Sequence, residues 1–203
     1  MLNIFARASV SRVTDPIGAW LVRFGLTPNA MTVIGTVGAV LGAMWFFPRG
    51  ELVAGTFVVW GFAMLDLLDG AMARAKGKGT KFGGVLDSSC DRIADGALGA
   101  AVAWYCLAVA QNRMLGAAAL ICLVSGQVIS YVKARAEASG LHADVGIVER
   151  AERLIITLVG TGLYGFGVPY ALHVALWLLA VLSVVTVIQR LVAVYHAAQE
   201  ETA

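Results

Sequence analysis

The sequence predicts an all-α integral membrane protein: six transmembrane helices preceded by an amphipathic juxtamembrane helix. Three observations predict it. The 203 residues are 59% hydrophobic and only 14% charged, with a mean hydropathy of +0.80, whereas soluble domains are about 25% charged. Six apolar stretches approach or exceed the roughly 20 residues that cross about 30 Å of hydrocarbon. The basic residues also segregate: of the 15 Lys and Arg, only Arg49 and Arg113 fall on one side of the predicted topology and the other 13 on the opposite side. By the positive-inside rule the rich side, with both termini, is cytoplasmic. This places the chain in the cell membrane.

The elements follow in order. Leu2, Phe5, Val13, Ile17, Trp20, Leu21 and Phe24 recur at roughly helical spacing, with Arg7, Arg12 and Arg23 between them. Asp15-Pro16 reads as an N-cap and first helical position, and Gly25 as a stop. Residues 16–24 are therefore expected to form a helix lying in the membrane interface. No continuous apolar run near Met1 suggests a cleaved signal peptide. Thr27-Pro28 is a second cap pair, opening a first span over 28–47 that Pro48-Arg49-Gly50 stops. Gly35, Gly38 and Gly42 in it suit close helix packing. Further spans are expected over 52–75, 84–108, 114–138, 150–164 and 170–196. The fifth is short and begins with charge. Residues 1–27 then form an N-terminal segment, 28–197 one membrane domain and 198–203 a short tail. Cys90, Cys106 and Cys122 lie apart in apolar sequence and read as small buried hydrophobes. A net charge of +2 gives no reason to expect a nucleic-acid partner.

The chemistry sits in spans two and three. Asp66, Asp69, Gly70, Ala73 and Arg74 fall at i, i+3, i+4, i+7 and i+8, one stripe of one helix. Asp87, Asp91 and Asp95 fall at i, i+4 and i+8 on the next. Counted from a turn near Gly79, Asp66 and Asp69 and then Asp87 and Asp91 lie at comparable distances, so at about 1.5 Å per residue the two pairs sit at similar depth. Carboxylates inside a membrane are costly and mark function. Converging, they would repel and take up protons unless cations hold them. Oxygen ligands suit Mg²⁺ or Mn²⁺, and bridging carboxylates can hold two such ions, an arrangement suited to phosphoryl transfer. Gly70 and Ala73 leave room for a bulky substrate, and Arg74 offers a phosphate-binding fork. Gly77-Lys78-Gly79-Thr80 lacks the spacing of a P-loop.

The pattern D-x2-D-G-x2-A-R-x8-G-x3-D-x3-D, carried by Asp66, Asp69, Gly70, Ala73, Arg74, Gly83, Asp87 and Asp91, resembles the signature of the CDP-alcohol phosphotransferase family. The resemblance extends across the chain. It implies displacement of CMP from a CDP-linked lipid by an alcohol, two divalent ions, and a homodimer. It assigns Asp66, Asp69, Asp87 and Asp91 to the metals, with Asp91 also the general base. It assigns Gly70, Ala73 and Arg74 to the CDP-diacylglycerol, with Thr80 near the nucleotide. Asn29, Ala30, Met31 and Thr32 match the segment at the start of span one that lines the nucleotide site.

A second basic cluster bears on the acceptor. Ser130 and Lys133 share a helix face, Arg153 lies near the start of span five, and Arg190 sits in apolar sequence where it needs a partner. A second anion pocket fits an acceptor that already carries phosphate. The chain as a whole most resembles the branch of the family whose acceptor is inositol phosphate. That resemblance implies phosphatidyl transfer from CDP-diacylglycerol to inositol phosphate and assigns Ser130, Lys133, Arg153 and Arg190 to the acceptor. Glycerol 3-phosphate is the alternative acceptor. A cation transporter with facing aspartates is the remote alternative, and the apolar outer halves of the spans disfavour it.

Overall fold

Caps written into the sequence set several of the helix boundaries in the computed structural model, which describes residues 2–77 and 79–202, with side chains for 12, 14–77 and 79–200. Among them there are helices and no strand: α1 Leu2–Arg23, α2 Pro28–Phe46, α3 Leu52–Ala63, α4 Leu65–Ala75, α5 Lys81–Trp104, α6 Arg113–Ala138, α7 Arg150–Gly165 and α8 Ala171–Thr202. The Thr27 hydroxyl accepts the Ala30 N–H at 3.2 Å and starts α2. Thr80 does the same for Gly83 at 2.9 Å and starts α5. Asn112 accepts from Leu115 at 3.0 Å and starts α6. Glu149 and Glu152 form a reciprocal capping box at α7. Gly25 and Gly50 end helical segments with φ of 85° and 79°, a conformation that costs glycine least.

Five helical segments are long and apolar enough to cross a membrane: 28–49, 52–75, 81–109, 113–138 and 171–200. Helix α7 has 16 residues, with Arg150, Glu152 and Arg153 in its first turns, and is not among the five. Large apolar side chains on these segments face outward, among them Leu41, Phe57, Trp104, Val124 and Val181. A soluble protein would pay for such surface in aggregation, whereas a lipid environment favours it.

Two features differ from the sequence reading. The first helix runs through Asp15-Pro16 instead of starting there. Proline forfeits one backbone hydrogen bond, but α1 packs on α4 so closely that a Cβ at Gly18 would lie 2.9 Å from the Ala71 backbone. That contact holds the helix through the proline, and the Asp15 side chain is committed elsewhere. Leu2, Phe5, Arg7, Val13 and Lys78 of the predicted interfacial face and basic turn lie outside the described side chains. The second difference is local. The expected span over 52–75 is present as one segment, but its helix tightens at Met64, where the Leu67 N–H bonds Met64 O at 3.2 Å while the Met64 N–H keeps Trp60 O at 3.0 Å. The end of α5 also loosens, into one π turn over Tyr105–Val109.

The chain forms two compact units, residues 1–42 with 57–94, and residues 43–56 with 95–203. In the first, Ala71 and Met72 of α4 are buried. Gly35 and Gly42 let α2 approach α3: an added Cβ would stand 3.2 Å from the Phe62 carbonyl oxygen and 2.6 Å from Val58 Cγ1, respectively. Gly38 lies against the Phe62 ring in the same seam. The second unit is built on α6, α7 and α8, with Leu115, Ile129, Leu158, Leu172 and Leu176 at its centre. Two of its buried threonine hydroxyls bond back to their own helix. Thr161 donates to Thr157 O at 2.6 Å, and Thr186 to Leu182 O at 2.8 Å. Such bonding keeps polar side chains tolerable in an apolar interior.

Candidate active site

The first unit carries the acids. Helix α4 is eleven residues long and presents Asp66 and Asp69 one turn apart. Thr80 starts α5 and sets the phase that places Asp87 two turns in. Carboxylate oxygens of Asp66, Asp69 and Asp87 lie within 4.8 Å of one another. Asp69 is buried, and Asp66 and Asp87 are half-buried. The Thr32 hydroxyl hydrogen-bonds Asp69 Oδ2, which fixes the orientation of that carboxylate. Three oxygen-donor anions in one place form a hard-ligand set that suits Mg²⁺ or Mn²⁺ and does not suit a soft metal. Asp91 lies one turn beyond Asp87 on α5, outside this group of three among the described residues, and its carboxylate is 4.0 Å from the Arg92 guanidinium.

A cavity of about 530 Å³ opens beside Asp69 and Asp87. Of the residues expected to meet the CDP-lipid, Asn29, Thr32, Gly70, Ala73 and Thr80 line it, while Ala30, Met31 and Arg74 do not. Met31 is buried in the helix packing. A Cβ at Gly70 would meet only Arg74 Nη1, at 3.6 Å, so the wall there is open. Arg74 is held by Asp15 on α1, with Nη2 at 2.7 Å and Nε at 3.3 Å from the same oxygen. Sequence reasoning missed Lys76, which also lines the cavity; its position one turn past Met72 and beside the stripe was the available signal. It also missed the Asp15–Arg74 pair, 59 residues apart, for which spacing gives no signal.

The second unit carries the bases expected at the acceptor, and they gather around one stretch of α6. A Cβ at Gly126 would stand 3.3 Å from Arg153 Nε, and the Ser130 hydroxyl donates to Gly126 O at 3.3 Å. Arg190 donates from Nη1 to Ile129 O at 2.7 Å and from Nε to Val145 O at 2.9 Å. The partner that the sequence required for Arg190 is thus backbone carbonyl, not carboxylate. Lys133, one turn past Ile129, pairs with Asp144 at 2.5 Å. The link between α6 and α7 is strapped onto α8 by Arg190 and by the Val148 N–H, which bonds Thr186 Oγ1 at 3.2 Å. Arg153, buried, and Arg150 both face Asp95, at 3.5 and 3.4 Å.

A clustered acid triad beside a cavity of about 530 Å³ with an open glycine wall suits metal-assisted phosphoryl transfer on a bulky substrate, and the comparisons with known proteins decide the family. A family model described as CDP-alcohol phosphatidyltransferase matches residues 25–196. The chain belongs to the CDP-alcohol phosphatidyltransferase family. Relatives in this family are close. The phosphatidylinositol phosphate synthase of Mycobacterium marinum is 55% identical over 193 residues, covering 94% of this chain and 82% of that one. That of Mycobacterium tuberculosis is 53% identical, covering 94% and 89%. The crystal structure of the M. tuberculosis enzyme with CDP-DAG bound matches with a TM-score of 0.87 and 54% identity, covering 91% of this chain and 94% of that one. The same enzyme in complex with manganese and citrate also matches at a TM-score of 0.87, with 54% identity over 90% and 89%. Membership in this family leaves the transporter alternative without support.

Proposed function

We propose that this protein transfers the phosphatidyl group of CDP-diacylglycerol to a hydroxyl of inositol phosphate, giving phosphatidylinositol phosphate and CMP. The observation that carries the reading is the Asp66–Asp69–Asp87 group on the wall of the 530 Å³ cavity. The names of the relatives and the bound CDP-DAG and manganese in the M. tuberculosis structures support it. Asp66, Asp69, Asp87 and Asp91 would hold two divalent ions, Mg²⁺ or Mn²⁺. Bound there, these supply charge neutralisation for the diphosphate and the departing CMP.

The chain's own residues do the rest. Asn29, Thr32, Gly70, Ala73 and Thr80 receive the CDP part of the lipid, and Arg74 guards its phosphates. Ser130, Lys133, Arg153 and Arg190 orient the acceptor phosphate. Asp91 takes the proton of the attacking hydroxyl. The new bond joins that oxygen to the lipid-side phosphorus, and the phosphorus–oxygen bond to CMP breaks. Positioning and electrostatics dominate, as in other phosphoryl transfers. We place both termini and the site on the cytoplasmic side, with α7 as a sixth, short span, α1 along the interface, residues 28–197 as one functional domain in the lipid bilayer, and the protein as a homodimer.

Purified protein given CDP-diacylglycerol and Mg²⁺ should release CMP with inositol phosphate, and far less with inositol or glycerol 3-phosphate. A chelator should abolish release, and Mn²⁺ should restore it. Preferential release with glycerol 3-phosphate would replace the acceptor; release with unphosphorylated inositol would remove the second anion pocket.

A further inference from the structure

Asp95 has no part in the chemistry above, although it continues the four-residue spacing of Asp87 and Asp91 along α5. A half-buried carboxylate in a membrane segment needs a reason. Asp95 Oδ1 stands 3.4 Å from Arg150 Nε, and Oδ2 stands 3.5 Å from Arg153 Nη2, so its two oxygens are divided between two guanidinium groups of α7. Both arginines fall within the first helical turns of α7, three residues apart and therefore on one face. The Arg153 side chain is only 9% exposed, and its Nε and Cδ lie over Gly126, where any side chain would crowd it. The guanidinium is thus walled by a glycine of α6 on one side and reached by a carboxylate of α5 on the other. One carboxylate is thus shared between two arginines. The cavity at this place is about 50 Å³, with Asp95, Gln127 and Arg153 at its polar part. That is room for a few waters and far too little for a lipid chain, so the polar group is not the head of a buried lipid site.

We propose that Asp95 is a positioning residue for the acceptor site: it holds Arg150 and Arg153 side by side as a paired cradle for the acceptor's phosphate. The proposal rests on the reading of the acceptor as a phosphate-bearing alcohol, and it adds Arg150 to the residues that meet that phosphate. A planar guanidinium binds phosphate through oriented N–H pairs, so its aim matters as much as its charge. Asp95 sets that aim, at the expense of some positive charge. The two effects oppose each other on mutation, which makes the proposal testable. If Asp95 only dilutes the charge, its removal tightens the acceptor; if it aims the arginines, its removal loosens it.

The test uses the full-length purified protein with CDP-diacylglycerol, Mg²⁺ and a varied acceptor. Asp95→Ala should raise the KM for inositol phosphate about ten-fold and leave the KM for CDP-diacylglycerol within two-fold. Asp95→Asn, which keeps the shape but only one of the two acceptor oxygens, should give a smaller rise in the same KM. Arg150→Ala should raise the same KM, and the double variant Asp95→Ala with Arg150→Ala should be no worse than the poorer single one. An unchanged or lowered acceptor KM in Asp95→Asn and Asp95→Ala, or an equal rise in both substrates' KM, overturns the proposal. If Asp95→Ala is not recovered folded, Asp95→Asn and Arg150→Ala decide the matter, read the same way. The wild-type arm separates this from the functional reading. Wild-type turnover with glycerol 3-phosphate in place of inositol phosphate removes that reading, yet the cradle is then judged on the glycerol 3-phosphate KM. Wild-type turnover only with unphosphorylated acceptors removes both.

Discussion

The two units treat charge in opposite ways. The first gathers like charges: Asp66, Asp69 and Asp87 bring their oxygens within 4.8 Å of one another. The second gives four of its cations an oxygen of the same chain: Asp144 for Lys133, Asp95 for Arg150 and Arg153, and backbone carbonyls for Arg190. Crowded carboxylates cost free energy until a cation arrives, so the first arrangement stores a demand for metal. The paired cations are already stabilised, so on the proposed function an acceptor phosphate must match or displace what the protein supplies. On that proposal the first unit is suited to strong binding of a small ion, and the second to discrimination among acceptors.

The largest effect should come from the acid side. Asp91→Asn should lower kcat by about 10³-fold, the scale of a lost general base, while the protein still binds CDP-diacylglycerol. Near-normal turnover would move the base elsewhere. On the basic side, Lys133→Ala should raise the acceptor KM about ten-fold or more, as expected for a lost charged hydrogen bond, with the CDP-lipid KM unchanged. If the CDP-lipid KM moved instead, the contrast between the units would be misassigned. Thr32→Val deletes the hydroxyl that orients Asp69 and should weaken Mn²⁺ binding about ten-fold, the scale seen when a ligand's supporting hydrogen bond is lost. Unaltered metal affinity would return Thr32 to nucleotide contact alone.

The smallest effect concerns Asp144. Hydrogen bonding to Lys133, and then its charge, hold the Asp144 carboxyl below the ordinary carboxylate range. A lowered folded value means that the pair is intact above the ordinary carboxylate pKa of about 4 and is lost only as pH falls through the lowered value. Asp144→Asn should therefore lower the acceptor KM by about two-fold, as befits an exposed pair, and by the same ratio throughout about pH 6 to 8. A ratio that drifts across that range would mean that a different group competes for Lys133.

Asp66, Asp69 and Asp87 were readable in the sequence as a converging group because helical spacing on α4 and the Thr80 start of α5 suffice to phase them, whereas Asp91, one turn farther along α5, lies outside that group among the described residues. The glycines of α2 were readable for the same reason. What counting could not supply was anything set by a long loop or a distant helix. Asp144 and Val145 reach Lys133 and Arg190 from an irregular link whose path no periodicity describes. Asp15 reaches Arg74 from another helix, and the contact of Gly18 with Ala71 overrode the local expectation that a helix begins at Pro16. The length of α7 was legible as marginal, and its charged first turns explain why.

The tightened turn at Met64 has a mechanical consequence. In a regular helix, adding or losing one residue turns everything downstream by about 100°, which would swing Asp66 and Asp69 away from Asp87. Met64 keeps its helical backbone and its bond to Trp60 O, so α3 and α4 run on as one segment. A length change in α3 therefore reaches the carboxylates unless the tightened turn or the contact of Gly18 with Ala71 takes it up. Fit to the membrane and alignment of the carboxylates are thereby coupled within one polypeptide segment.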